Sequence, residues 1–146
     1  MKVPFSSRKN DYPLIFLVLF PIGAVGYYSL ELAFRGFSHW SMALCGGICV
    51  CLIFLANRKL SHCSLLLRAL IGAGIITAIE FIAGCIVNLW LGWGVWNYSH
   101  LPFNLLGQIS PLFSLLWFLL CIPVCIACTL TDAAFSRHRL HIKKAE

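Results

Sequence analysis

Residues 65–91 read LLLRALIGAGIITAIEFIAGCIVNLWL, twenty-seven positions with two formal charges, Arg68 near the start and Glu80 near the middle. An α-helix rises about 1.5 Å per residue, so about 20 apolar residues cross a hydrocarbon core about 30 Å thick. In that core the backbone must satisfy its own hydrogen bonds, so the stretch predicts a transmembrane helix. Three similar apolar runs accompany it, at 14–34, 40–56 and 109–130, the second being the shortest. Together they predict an all-α, polytopic fold of four transmembrane helices in one integral membrane domain, 1–146, ending in a basic tail, 131–146.

Composition excludes a soluble globule. Of 146 residues, 60% are hydrophobic and 11% charged, against averages of about 45–50% and about 25%. No Gly-Lys dipeptide occurs, so a phosphate-binding loop of the Walker type is absent and a self-contained ATPase or kinase is excluded.

The basic residues set an expected orientation. Lys2, Arg8 and Lys9 precede the first run; Arg58, Lys59 and Arg68 lie between runs two and three; Arg137, Arg139, Lys143 and Lys144 follow the fourth. Only Arg35 falls in the other two connections. This bias predicts cytoplasmic N and C termini, with the protein in the plasma membrane. The net charge of +6 then faces anionic inner-leaflet lipid, and nucleic acid is not an expected partner. A cleaved signal peptide ending near Ala24-Val25-Gly26 is the competing reading of the first run, but apolar character continues to Phe34, which favours a retained anchor.

Seven of the eight cysteines fall within the runs, and Cys63 lies in a connection. Buried thiols behave as small hydrophobes. Cys121, Cys125 and Cys128 share one helical face with Ser110, Ser114 and Trp117, which reads as a helix-packing seam. A soft-metal site joining Cys45 and Cys49 to that face and a redox pair at Cys125 and Cys128 are the alternatives; neither is preferred, and no metal or other cofactor is expected.

An intramembrane charge costs about 2.5–3.5 kcal/mol on insertion scales, so Glu80 stands out. Its helical face collects Ala69, Ala73, Thr77 and Gly84, whereas Ile71, Ile75, Ile82 and Leu89 lie opposite. Glu80 is therefore expected to point into the bundle, as a solute or proton site or as a structural hydrogen bond between helices. Glu31 precedes Arg35 at i+4, the favourable order for a helical ion pair. Residues 92–108 carry no formal charge but many aromatics. They read as an interfacial belt, or as a segment folded back over the outer mouth of the bundle.

These residues carry a family resemblance. Glu80, Gly84, Trp96, Tyr98-Ser99, Pro102-Phe103-Asn104, Gly107 and Trp117, with Gly26-Tyr27-Tyr28-Ser29-Leu30-Glu31, Gly36, His39, Trp40 and Ser41 before them, resemble the type IV ABC-transporter permease family, also called CmpB-like. That family also includes animal tetraspan membrane proteins. The resemblance runs from about 14 to 130, and W-x-Y-S-x-x-P-F-N-x-x-G is its most specific part. Where many members carry an acid between the Trp and the Tyr, this chain has Asn97.

The resemblance implies a small multi-span permease moving a small solute. The candidate substrate-binding residues are Glu80, Glu31, Gly84, Asn88, Trp96, Asn97, Tyr98, Ser99, Asn104 and Trp117. Four helices enclose little volume, so a transport path calls for a homo-oligomer or a partner membrane subunit, and the ABC label adds a separate ATPase. A tetraspan assembly or accessory protein without transport is the alternative. A membrane-embedded lipid-modifying enzyme using Glu80 or His100 is a third reading, weakened because no nucleophile–base pair stands at a legible spacing.

Overall fold

The computed structural model describes residues 12–145, with side chains described as far as Arg137. Lys2, Arg8 and Lys9, together with the side chains of Arg139, Lys143 and Lys144, lie outside the described residues. Four helices are long and apolar enough to cross a membrane. They are α1 (Tyr12–Arg35), α2 (Trp40–Lys59), α3 (Leu65–Gly84) and α4 (Pro111–Ala145). A turn of π-helix, Cys85–Trp90, prolongs α3.

Three of the helix starts have a local cause. The Nδ1 atom of His39 accepts from the backbone N–H of Ser41 at the start of α2, and the Ser64 hydroxyl accepts from that of Leu67 at the start of α3. These bonds satisfy donors that a helix start leaves free. Pro111 opens α4 at the position where a missing N–H costs nothing. The second run, shortest in the sequence, gains a turn, since α2 continues through Arg58 and Lys59. The tail expected from 131 continues α4 as helix to Ala145. At 1.5 Å per residue, α4 is roughly 52 Å long and outreaches a hydrocarbon core.

Helices consecutive in the chain run antiparallel. Gly23 and Gly46 bring α1 against α2: a Cβ on Gly23 would lie 2.6 Å from the carbonyl oxygen of Gly46 and 2.8 Å from Val50. Small residues allow this close backbone approach where no hydrophobic force separates helix from lipid. Between α3 and α4, Thr77 and Ser114 hydrogen-bond at 3.1 Å, and Gly72 faces Cys121. The main core joins Ile15, Leu19, Cys49, Ile53, Phe54, Ala69, Ile76, Cys121, Cys125 and Cys128. The three α4 cysteines thus form a buried packing seam. Large apolar side chains such as Leu17, Leu70 and Leu119 face outward, which suits lipid and would be a liability in water.

Candidate functional site

The stripe Ile15, Leu19, Gly23, Tyr27, Glu31 is the buried edge of α1, because side chains four apart share a helix face. It brings Tyr27 and Glu31 inward at the end of the bundle where α1 meets α2. Glu80 is buried on α3 at 3% exposure. The Tyr27 hydroxyl donates to Oε1 of Glu80 at 2.6 Å, and Nε1–H of Trp117 donates to Oε2 at 2.7 Å. One carboxylate thereby ties α1, α3 and α4 together. The Tyr27 and Trp117 rings stack with centroids 5.4 Å apart.

A cleft of about 330 Å³ opens between α1 and α4 beside this triad. Tyr27, Leu30, Glu31, Phe34 and Arg35 line one side, Phe113, Leu116, Trp117 and Leu120 the other, and Tyr98 also borders it. Tyr98 stacks on Phe113 at 4.3 Å. Burial, with Glu80 adding to it, pushes the Tyr98 phenol well above its ordinary value, so this group stays a neutral hydroxyl. Glu80 itself does not line the cleft; Tyr27 and Trp117 stand between them. A second, larger groove of about 870 Å³ runs along α3 and α4. Its polar side chains are Thr77 and Ser114, bonded to each other, and it offers no charge.

Glu31 accepts from both Arg35 and Ser38, the latter at 2.7 Å. The expected i,i+4 ion pair is present, and Arg35 does more: its Nη1 donates to the carbonyl of Val95 at 3.0 Å. The pair therefore fastens the segment between α3 and α4 onto the end of α1.

That segment is an ordered cap built by its own side chains. Asn88, in the π turn, accepts from the backbone N–H of Val95 and donates to Oε1 of Gln108, at 2.7 and 2.8 Å. Trp96 donates from Nε1 to the carbonyl of Gln108. Asn97 accepts from the N–H of Ser99, and Asn104 bridges the carbonyl of Leu101 and the N–H of Gly107. Gly84 lets the cap settle on α3: a Cβ there would lie 2.5 Å from Oε1 of Gln108 and 3.0 Å from the Trp96 ring.

The ten sequence candidates thus separate. Glu31, Tyr98 and Trp117 line the cleft, with Glu80 held behind Trp117; Gly84, Asn88, Trp96 and Asn104 hold the cap; Asn97 and Ser99 are exposed on it. Tyr27, Arg35, Phe113 and Gln108 were not among the candidates. Tyr27 carried a signal, since it precedes Glu31 by four on the same face.

A family model described as "Putative ABC-transporter type IV" matches residues 16–143. No curated protein and no solved structure matches the chain.

Proposed function

The chain belongs to this type IV ABC-transporter family, making it an integral membrane protein of transporter type, and we propose that it is a permease subunit whose solute site is the cleft between α1 and α4. The observation that carries the proposal is the double role of Tyr27 and Trp117. Each lines the cleft, and each donates to one oxygen of Glu80. Turning either side chain off the carboxylate would open Glu80 to the cleft without moving a helix. A solute that brings its own donor or positive charge would replace the bond it displaces, so the exchange costs little.

Five aromatic rings border the cleft: Tyr27, Phe34, Tyr98, Phe113 and Trp117. Aromatic faces attract cations, and Arg35 is already engaged by Glu31 and the Val95 carbonyl. A small organic cation is therefore the solute class we infer, with Glu80 as its charged partner. The cleft's size suits it, at the small end of ligand sites.

In this proposal the termini and the 60–64 loop face the cytoplasm of the plasma membrane, and the cap faces outward. A separate ATPase would engage the basic end, where the extension of α4 offers a longer lever than the short loop. A homo-oligomer or partner membrane subunit would complete the path.

The accessory reading has its own support: both oxygens of Glu80 are satisfied, as a purely structural tie would require. Equilibrium binding of a tetraalkylammonium ion to purified protein in liposomes separates the two, comparing wild type with Glu80→Gln. Saturable binding lost in the variant supports the permease. Absence of binding to wild type, with Glu80→Gln altering only assembly, favours the accessory protein.

A further inference from the structure

The opposite end of the bundle holds a second polar cluster that the cleft does not use. Arg58 lies in the last turn of α2 and Arg68 in the first turn of α3. The Arg58 side chain is only 6% exposed, with Nε 3.4 Å from Oδ1 of Asp132 on α4. Its guanidinium also sits 4.9 Å from the centre of the Tyr12 ring on α1. Arg68 donates from Nη1 to Oδ1 of Asn57 at 3.0 Å and to Oγ1 of Thr129 at 3.3 Å. Thr129 and Asp132 are three apart on α4, so both guanidiniums meet the same turn of that helix.

The donors outnumber the acceptors. Nε and Nη1 of Arg58 and Nε of Arg68 are buried with no hydrogen-bond partner among the described residues. Among the described residues, two guanidiniums against one carboxylate also leave an excess positive charge. A buried donor without a partner is costly, and more so on a charged group. Water could accept these bonds but would not balance the charge. A tetrahedral anion with several oxygens does both, and guanidinium matches phosphate in bidentate geometry.

We propose that Arg58 and Arg68 form a binding site for a phosphate-bearing anion, supplied by the headgroup of an anionic phospholipid. The level of the site supports the lipid source. It lies where the apolar spans α2 and α3 end, the depth at which headgroup phosphates lie, and Lys59 is exposed beside it. A zwitterionic headgroup carries a cation of its own beside the phosphate, so anionic lipid should be preferred.

The experiment is a thermal-shift titration of the purified full chain in neutral detergent. Phosphatidylglycerol, phosphatidylcholine and inorganic phosphate are added separately at low salt. The wild type should be stabilised by phosphatidylglycerol at concentrations about tenfold below any effect of phosphatidylcholine. Arg58→Gln and Arg68→Gln should each shift the phosphatidylglycerol midpoint upward by about tenfold or more, as loss of a charge-assisted bond implies. If Arg58→Gln does not fold, Arg58→Lys keeps the charge beside Asp132 but loses the planar donors, and the same weakening is expected. A full shift with inorganic phosphate alone supports the site and names a soluble anion as its source; a shift with the lipid alone supports the headgroup. Equal wild-type midpoints for the two lipids without a phosphate effect, or unchanged midpoints in the folded variants, would overturn the site.

Discussion

The hydroxyl of Tyr27 donates to Oε1 of Glu80 at 2.6 Å, joining the second half of α1 to the last turns of α3 across 53 positions of sequence. The bond is buried at both ends, and a buried acceptor that loses its donor is left with an uncompensated desolvation cost of about 1–3 kcal/mol. Tyr27→Phe keeps the ring against Trp117 and removes only the donor. The expected result is a folded protein destabilised by about 1–2 kcal/mol, read by thermal or denaturant unfolding in detergent. An unchanged stability would mean that the carboxylate readily finds another partner.

Trp117 holds the other oxygen, so the two donors share one acceptor group and should not act independently. Trp117→Phe alone should cost more than Tyr27→Phe, because it also removes part of a ring that packs on Tyr27 and lines the cleft. In the double variant, a coupling energy of about 0.5–3 kcal/mol is expected for residues in one network. Simple additivity would argue against Glu80 as the common centre.

Glu80→Gln tests the charge apart from the shape. The amide is nearly isosteric with the carboxyl group, but its nitrogen is a donor facing Tyr27 or Trp117, so one of the two bonds must be lost or reversed. Interhelical side-chain bonds in membranes contribute about 0.6–2 kcal/mol, and a stability loss of that order with helical content intact is expected. Circular dichroism and thermal unfolding check it. Complete unfolding would make Glu80 a keystone of the fold and remove the distinction between binding and assembly.

How far these contacts could be read from the chain depends on their range. The four spans were legible because each apolar run is continuous and charge gathers between runs. The inward face of Glu80 was legible from the small residues Ala69, Ala73 and Gly84 around it, a matter of one helix's periodicity. Its partners were not, because pairing Tyr27 with Glu80 depends on the relative height and rotation of two helices. Arg58 was counted with a loop; α2 runs one turn further and carries it inward onto Asp132 and Tyr12. Asn97 and Asn104 read as binding groups because polar residues among aromatics invite that reading. Asn and Asp side chains also bond nearby backbone in turns, and here they do so.

Gly84 gives a packing prediction. A methyl group at this position meets Oε1 of Gln108 at 2.5 Å and the Trp96 ring at 3.0 Å, and Gln108 is itself held by Asn88. Gly84→Ala should gain slightly in helix propensity yet lose about 1–3 kcal/mol by overpacking. The cap should lift, carrying Trp96, now 5% exposed, toward solvent. Acrylamide quenching of tryptophan fluorescence would report that movement. Quenching and stability identical to wild type would show that the cap adapts without leaving α3.

The orientation proposed from the basic residues is open to a direct chemical test. Cys63 is in the short loop between α2 and α3, the end that carries Arg58, Lys59 and Arg68, whereas His100 is exposed on the cap at the other end, near Arg35. The remaining cysteines lie within the helices, where lipid and packing slow their reaction. A membrane-impermeant maleimide applied to intact cells should therefore label a His100→Cys variant and leave Cys63 unmodified until the cells are opened. Labelling of Cys63 from outside, with His100→Cys protected, would invert the topology. The cleft end would then face the cytoplasm, and the Arg58–Arg68 cluster would meet the outer leaflet, where anionic headgroups are scarcer in many membranes. Such a result would leave Glu80, Tyr27 and Trp117 in the same contacts but reverse the side from which the proposed solute would reach them.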